Sequence, residues 1–442
     1  MVKARTSLDK VVVTADGEGV VSHAGSALLV GLADRVGLTR ALSEAMEPTR
    51  QRASAHDPGV VLRDLAVMLA DGGTSLSALG VLRDQEAMFG LVASDSTAYR
   101  VIDSIDQTGL GRLRAAVAIA RERAWELGAA PKEVVLDWDA TLVTAFSHKQ
   151  GAAATYKKGF GHHPLLCYLD CSREALAGIL REGNAGSNTA ADHITVGDQA
   201  LTQLPACALD GEIVARVDGA GATHAFTRWC RDAGIRFSVG AKLTEDVLQA
   251  ALMVDDQAWK QGLRKDGSEN PAAWVCELTG QVSIGQWPRG SRLICRAVRL
   301  DEAIQLTFGE DDGFRYEVFL TDIPGDIRDR DLFHRGHARI EDRVRDAKAC
   351  GLENLPFQSF ANNQVWLLLV GLAQDLLAWS QAILLSGDLK RAEPQTLRYR
   401  LWHTAARISR HARTTRLRLD RHWPWAQQLV AAFTVLQALP HT

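Results

Sequence analysis

The spacing of apolar residues along the chain changes near residue 130. Before that point apolar side chains recur every three or four positions, which is typical of amphipathic helices, over residues 24–46, 59–72 and 106–128. From Lys132 onward the apolar runs are short, rich in β-branched residues and separated by turn residues, at 133–145, 163–170 and 175–183. The pattern predicts a helical N-terminal region over residues 1–130, followed by strands.

Helical and strand-like segments then alternate, with helices predicted at 188–204 and 223–233 and strands at 212–220 and 236–243. This order indicates an α/β fold in which a mixed sheet is packed against helices. Residues 257–320 have mostly strand patterns, and helical spacing returns at 334–351 and 362–385. We therefore expect an α/β core, its mainly β interruption, the rest of the core and a helical C-terminal region, over residues 131–250, 251–325, 326–385 and 386–442.

The composition, 46% hydrophobic and 23% charged, is that of a soluble globular protein. The longest apolar run, 365–379, contains Gln374 and Asp375, so we expect no membrane partner. The N-terminus lacks the residue order of a secretory signal, and the seven cysteines have no spacing typical of disulfide frameworks or zinc sites. These features predict a cytoplasmic protein.

The net charge of −3 conceals a basic segment near the C-terminus. Residues 390–425 contain ten Lys or Arg and two acids, a charge of +8 that leaves −11 for the rest of the chain. A basic segment on an acidic protein indicates a polyanionic partner such as nucleic acid. The alternative, a solvated helix face, would normally supply acids to pair with these residues. We predict an arginine-rich helix here, with Arg410, Arg413 and Arg416 as DNA contacts, and we expect the helical N-terminal region, residues 1–130, to bind DNA as well.

Two carboxylates interrupt the apolar run "VVLDWDATLV", residues 134–143. Asp137 and Asp139 share one face of the predicted strand because alternate residues point the same way. Asp218 stands where the strand at 212–220 ends, and Glu341 lies in a predicted helix. Acids brought together repel one another unless a cation is present, and carboxylate oxygens suit Mg²⁺ or Mn²⁺. The alternative is that Asp137 and Asp139 lie on a solvated edge strand.

Several long sequence blocks occur in series and resemble one known family. They are "LDWDATLVTAFSHKQGAAATYKKGFGHHPLL", "LREGNAGSNTAADH", "ARVDGAGATHAF" and "HRGHARIEDRVRDAKACGLENLPF" followed by "NNQVWLLLVGLAQDLLAW". The chain resembles DDE transposases of bacterial insertion sequences from about residue 10 to 430, most closely the branch named for insertion sequence 1380. The resemblance implies a ribonuclease-H-like core with a mainly β insertion.

The resemblance also implies catalytic and metal-binding roles for Asp139, Asp218 and Glu341, with Asp137 the competing choice for the first acid. Two Mg²⁺ or Mn²⁺ ions in each active site would support cleavage at terminal inverted repeats and strand transfer to target DNA. A homodimer in a synaptic complex with DNA is implied as well. Two alternatives stay open: a catalytically inactive or domesticated DNA-binding relative, and a metal-dependent nuclease without strand transfer.

Related transposases surround the glutamate with the motif Tyr-x2-Arg-x3-Glu-x6-Lys. Here the spacing from Glu341 to Lys348 fits, which implies a phosphate contact for Lys348, but His334 and His337 occupy the Tyr and Arg positions. His337 and the neighbouring Arg335 and Arg339 are therefore candidate phosphate contacts. From its composition, the loop 156–164 supplies two further candidates for contact with the DNA backbone, Lys157 and Lys158; the alternative is a solvated turn.

Overall fold

Helices form the N-terminal part of the computed structural model, which describes residues 11–50, 55–186, 189–300, 310–311, 313–411 and 414–441. A short strand and seven helices begin the chain: β1 (Val20–Val21), α1 (Ala27–Arg35), α2 (Leu38–Met46), α3 (Pro58–Ala70), α4 (Gly80–Arg83), α5 (Glu86–Phe89), α6 (Asp95–Asp103) and α7 (Gln107–Ala124). The helix predicted at 24–46 is divided at Gly37, whose φ of 73° is a conformation that favours glycine. The Ser94 side chain caps α6 by accepting a hydrogen bond from the Thr97 amide, as an N-cap serine should.

A large mixed sheet follows. Its first strands and accompanying short segments are β2 (Val134–Ala140), β3 (Val143–Thr144), β4 (Ala153–Ala154), β5 (Phe160–His162), β6 (Leu165–Leu169), β7 (Ala175–Ile179), α8 (Ala190–Leu201), α9 (Ala206–Leu209), β8 (Ile213–Val217), α10 (His224–Asp232), β9 (Arg236–Ala241) and α11 (Glu245–Leu252). Strand β2 is parallel to β8 and antiparallel to β6, and β8 is parallel to β9. The predicted mixed sheet is therefore present, and β3, β5 and β4 form a small separate sheet beside it.

The strands of the mainly β segment continue the same sheet. They are β10 (Lys260–Leu263), β11 (Glu269–Glu277), β12 (Arg292–Arg299), β13 (Glu310–Asp311) and β14 (Phe314–Thr321). Strand β14 pairs antiparallel with β9, which gives the order β10-β11-β12-β14-β9-β8-β2-β6-β7. Within the mainly strand-patterned segment 257–320, residues 301–309 and 312 lie outside the described residues.

The helices after the sheet are α12 (Ile327–Arg335), α13 (Ile340–Ala347) and α14 (Phe360–Trp379). The helix predicted at 334–351 is broken by a 3₁₀ turn at Gly336–Arg339. A Cβ on Gly336 would lie 2.4 Å from Nη1 of Arg216, so this turn needs glycine to let the arginine approach. Helix α14 and the π turn that extends it, Phe360–Leu384, are apolar and long enough to cross a membrane, but 78% of the apolar window is buried in the protein, as in a core helix.

The C-terminal region differs from the prediction. After α15 (Pro394–Leu397) the chain forms a hairpin of β15 (Ala406–His411) and β16 (Thr414–Leu419), and then α16 (Ala426–Ala438). The predicted arginine-rich helix is therefore wrong: four of its arginines, Arg407, Arg410, Arg416 and Arg418, lie on a β-hairpin whose first strand pairs with β1. Ala406, Ile408, Leu417 and Leu419 pack inward with Val21, which is the period of two that a half-buried strand requires.

Candidate active site

The three acids of the predicted triad lie together at the carboxyl ends of β2 and β8, which are neighbouring strands inside the large sheet. Strands β2 and β8 are parallel, and Trp138 is paired with Val217. The next residues, Asp139 and Asp218, are therefore neighbours where the two strands end. Glu341 lies in the first turn of α13, and this helix packs against β2.

The electrostatics of Asp139 show that the three acids interact. Burial raises the pKa of Asp139 to about 6; His337 opposes the rise, and the negative charges of Asp218 and Glu341 add to it. An anion that is disfavoured by burial and by two neighbouring acids is stabilised by a divalent cation. All three side chains offer carboxylate oxygens, so this set of donors fits Mg²⁺ or Mn²⁺.

Asp137 has a different environment from Asp139. It is 1% exposed and both of its oxygens accept hydrogen bonds from Arg216, at 2.8 Å from Nε and 2.6 Å from Nη2. Arg216 is its direct partner on β8. This two-point ion pair accounts for one acid in the apolar strand, and it leaves Asp139 as the carboxylate beside Asp218.

Arg216 organises a buried ionic network that sequence reasoning missed. Its Nη2 also donates to Asp170 at 2.8 Å, and its Nη1 donates to the carbonyl of Phe333 at 2.7 Å. Asp170 accepts further hydrogen bonds from Arg339. Burial raises the pKa of Asp170, but Arg339 and Arg216 outweigh that effect and hold it below its usual value. The available signal was a lone arginine in the apolar strand "IVARV", where an unpaired charge would be costly.

The two histidines in the motif around Glu341 have different surroundings. Nδ1 of His337 lies 3.0 Å from Oδ1 of Asp137, with 15% of the side chain exposed, and the ring is close enough to Asp139 to oppose the rise in its pKa. His334 instead stacks on Phe319 with ring centroids 4.4 Å apart, and its Nδ1 lies 2.9 Å from Oγ of Ser238. Burial lowers the pKa of His334 to about 3, so this ring is neutral and part of the packing.

The arginines beside the glutamate are engaged within the protein. Arg335 donates to Asp331 at 3.0 Å and to the carbonyl of Leu263 at 2.5 Å, which argues against its predicted role as a phosphate contact. Arg339 is held by Asp170. Both guanidinium groups therefore already have acceptors.

Three candidate lysine contacts lie on two other elements. Lys157 and Lys158 are exposed in the turn between β4 and β5, close in sequence to the strand that carries Asp139. Lys348 is half-buried and begins the π turn after α13. The structure leaves all three as candidates, and those in the turn are the more accessible.

The predicted C-terminal arginines do not form one surface. Arg410 is paired with Thr415, and Arg416 with Ser409, so these arginines project from opposite faces of the hairpin. Arg413 lies outside the described residues. Arg416 instead shares its face with Arg407 and Arg418, which are exposed and directly opposite each other. We call these three residues the outer arginines. Like charges directly opposite on a hairpin repel, which is typical of a surface for a polyanion.

A second cluster of potential metal ligands lies away from the triad. Among the described residues, one set of three His, Cys, Asp or Glu side chains has potential ligand atoms that all lie within 4.8 Å: His23, Asp71 and His403. Asp71 Oδ2 lies 2.7 Å from Nδ1 of His23, and Asp71 Oδ1 lies 3.3 Å from Nε2 of His403. We call this set the terminal clamp, because it joins the N-terminal helices to the segment before the hairpin. The triad carboxylates do not come this close to one another.

Comparisons with known proteins give one family. The family model described as transposase DDE domain group 1 matches residues 3–441. No curated protein matches the chain. Among solved structures, a cryo-EM structure of a piggyBac transposase synaptic complex with hairpin DNA is similar at a TM-score of 0.40 and 10% identity, covering 82% of this chain and 75% of that one.

Proposed function

Since the chain belongs to the transposase DDE domain group 1 family, we propose that it is a cut-and-paste DNA transposase of an insertion sequence, in the branch named for insertion sequence 1380. It would cleave phosphodiester bonds at terminal inverted repeats and join the freed ends to target DNA. The observation that carries this proposal is that Asp139, Asp218 and Glu341 lie together at the carboxyl ends of β2 and β8. Asp137, by contrast, is neutralised by its ion pair with Arg216.

Family membership implies the use of a divalent metal, and Asp139, Asp218 and Glu341 are the residues that would hold it. Two Mg²⁺ or Mn²⁺ ions, when bound, would activate the attacking oxygen and stabilise the leaving oxygen. His337, fixed through Nδ1 by Asp137, places a hydrogen-bonding ring beside Asp139. Arg216 fixes Asp137 in turn. The hydrogen bonds from Arg216 through Asp137 therefore hold the His337 ring in place before DNA binds, which lowers the free energy needed to organise the active site.

DNA is the proposed partner, and two exposed basic surfaces support that assignment. One is the turn that carries Lys157 and Lys158, which follows the first catalytic strand. The other is the face of the hairpin that carries the outer arginines, since a two-stranded β-ribbon fits the major groove of B-DNA. Lys348, seven residues after Glu341, is a further proposed phosphate contact. Because two ends must be joined together, we also propose a homodimer in the synaptic complex.

A ribonuclease-H-like core is proposed on the arrangement of strands around the acids. The parallel strands β2 and β8 carry the first two acids at their carboxyl ends, β9 is parallel to β8, and antiparallel β6 and β7 extend the sheet on the other side. Active sites of open α/β sheets lie at such carboxyl ends. Strands β10–β14 would then be the insertion, added to the same sheet through β14.

Strand transfer tests the proposal against its two alternatives. A DNA end that is already cleaved at the element boundary is incubated with a target plasmid, Mg²⁺ and either the wild type or Asp139→Asn. We expect joined products from the wild type only. Uncut ends are tested in parallel, and binding to both kinds of end is measured. Cleavage of the uncut ends without joining of the cut ends would indicate a nuclease. Binding without either reaction would indicate an inactive relative.

A further inference from the structure

A cavity of about 550 Å³ lies at the end of the sheet opposite the triad. The turn between β6 and β7 forms one wall, α13 and the end of α14 form another, and the chain after α7 closes a third. Asp170 donates its amide to the carbonyl of Val135, near the start of β2, whereas Asp139 lies near its end. The cavity is therefore separate from the candidate active site, although α13 contributes residues to both.

Cationic side chains dominate the lining of this cavity. Six are present: Lys132, Arg173, Arg339, Arg343, Lys390 and Arg391. The two carboxylates in the lining are already used, since Asp170 is paired with Arg216 and Arg339, and Glu174 with the buried Arg121. The cavity thus has an excess of positive charge that its own acids do not neutralise.

Arg343 is the buried member of this set. Only 8% of its side chain is exposed, and the nearest carboxylate oxygen, on Asp346, lies 3.8 Å from Nη1. Within the described part of the chain, its Nε has no hydrogen-bond partner. A buried guanidinium with an unsatisfied donor is costly, and the charge of an anion in the cavity, which Arg343 lines, would offset part of that cost.

Arg173 adds a second, independent feature. Its φ of 69° places a residue with a long side chain in the left-handed region, which costs free energy and is concentrated at functional sites. Burial lowers the pKa of Arg173 and the positive charge of Arg343 lowers it further, while the nearby carboxylates of Asp346 and Asp342 oppose the fall. Since the pKa is lowered overall, these two acids do not offset burial and the repulsion between the arginines, and an anion in the cavity would reduce that repulsion.

We propose that this cavity is a phosphate-binding site, in which Arg173 and Arg343 bind the anion and Lys390 and Arg391 hold its outer side. Guanidinium groups match the geometry of phosphate oxygens and donate paired hydrogen bonds to them. The phosphate belongs either to the backbone of bound DNA or to a free nucleotide or inorganic phosphate. The site goes beyond the proposed transposition chemistry and does not depend on it, because binding can be measured without cleavage.

Pyrophosphate binding to the full-length protein tests the proposal. Calorimetry at constant ionic strength compares the wild type with the double variant Lys390→Gln/Arg391→Gln and with Arg173→Gln. The first two side chains are exposed, so the double variant should fold, and circular dichroism checks each protein. The matched control is Arg345→Gln, which removes an exposed arginine of α13 that is paired with Asp342 and Glu393. We expect at least tenfold weaker binding in the cavity variants and no change in the control.

A DNA duplex distinguishes the two sources of phosphate. If the backbone supplies it, saturating duplex blocks pyrophosphate binding and the cavity variants bind duplex more weakly than the control does. If a free phosphate supplies it, only pyrophosphate binding falls. The proposal is overturned if the cavity variants bind both probes as the wild type does, or if Arg345→Gln weakens binding equally. Neither result bears on whether the triad cleaves DNA.

Discussion

Replacing Arg216 with methionine should destabilise the whole catalytic sheet. Arg216 donates four hydrogen bonds of 2.6 to 2.8 Å, three of them to the carboxylates of Asp137 and Asp170. Its side chain is 1% exposed, and the two carboxylates are 2% and 3% exposed. Removing one partner of such a buried pair leaves an uncompensated charge, which costs about 3–5 kcal/mol. Asp170 keeps Arg339, so most of the loss comes from Asp137.

Urea unfolding followed by tryptophan fluorescence measures this loss. The matched control is Arg345→Met, because its ion pairs are exposed and should contribute less than about 1 kcal/mol. The double variant Asp137→Asn/Arg216→Met should recover part of the stability, since it removes both charges of the pair. The reasoning is refuted if Arg216→Met unfolds within about 1 kcal/mol of the wild type, a change typical of a surface pair.

Three further predictions follow from the site and its surroundings. Asp137→Asn should lower cleavage by about 10–100-fold, as the loss of a supporting partner does, whereas Asp139→Asn should abolish it; equal losses in steady-state assays would show that the two acids have the same role. Replacing the outer arginines with glutamine should reduce the slope of log affinity for DNA against log salt by about 0.9 per lost phosphate contact, while Arg40→Gln, on the exposed surface of α2, should leave it unchanged. The hydrogen bond that the His403 ring donates to Asp71 raises the pKa of His403 above 6.5. The terminal clamp therefore stabilises the fold below pH 6.5, and this contribution is lost as the pH rises through the raised pKa. The urea midpoint should fall more on raising the pH through this range in the wild type than in His403→Gln.

Much of the fold was predictable because its signals are local. Short apolar runs rich in β-branched residues identified β2, β6 and β8, and apolar spacing of three or four residues identified helices such as α3 and α7. The meeting of Asp139 and Asp218 was also predictable in outline, since parallel strands present their carboxyl ends at one edge. The resemblance to a known family added Glu341, which periodicity alone could not place beside them.

The remaining features depend on contacts between distant segments. Arg216 is 79 residues from Asp137 and 46 from Asp170, and no periodicity reveals such a pairing. The C-terminal hairpin was missed although Ile408 and Leu417 alternate with polar residues in its strands. Arginines that recur every two or three residues fit one face of a helix or one face of a strand. The pairing of β15 with the distant β1 shows that they form strands here.

Cleavage of DNA that carries the two ends of the element, with their flanks, tests the central claim most directly. Wild type, Asp139→Asn, Asp218→Asn and Glu341→Gln are compared in Mg²⁺, Mn²⁺ and EDTA, with the exposed Glu353→Gln as the control. We predict metal-dependent nicking at the element boundary by the wild type and the control, and none by the three triad variants, which should still bind the ends. Cleavage that persists in any folded triad variant, or that proceeds in EDTA, would contradict the assignment of these acids.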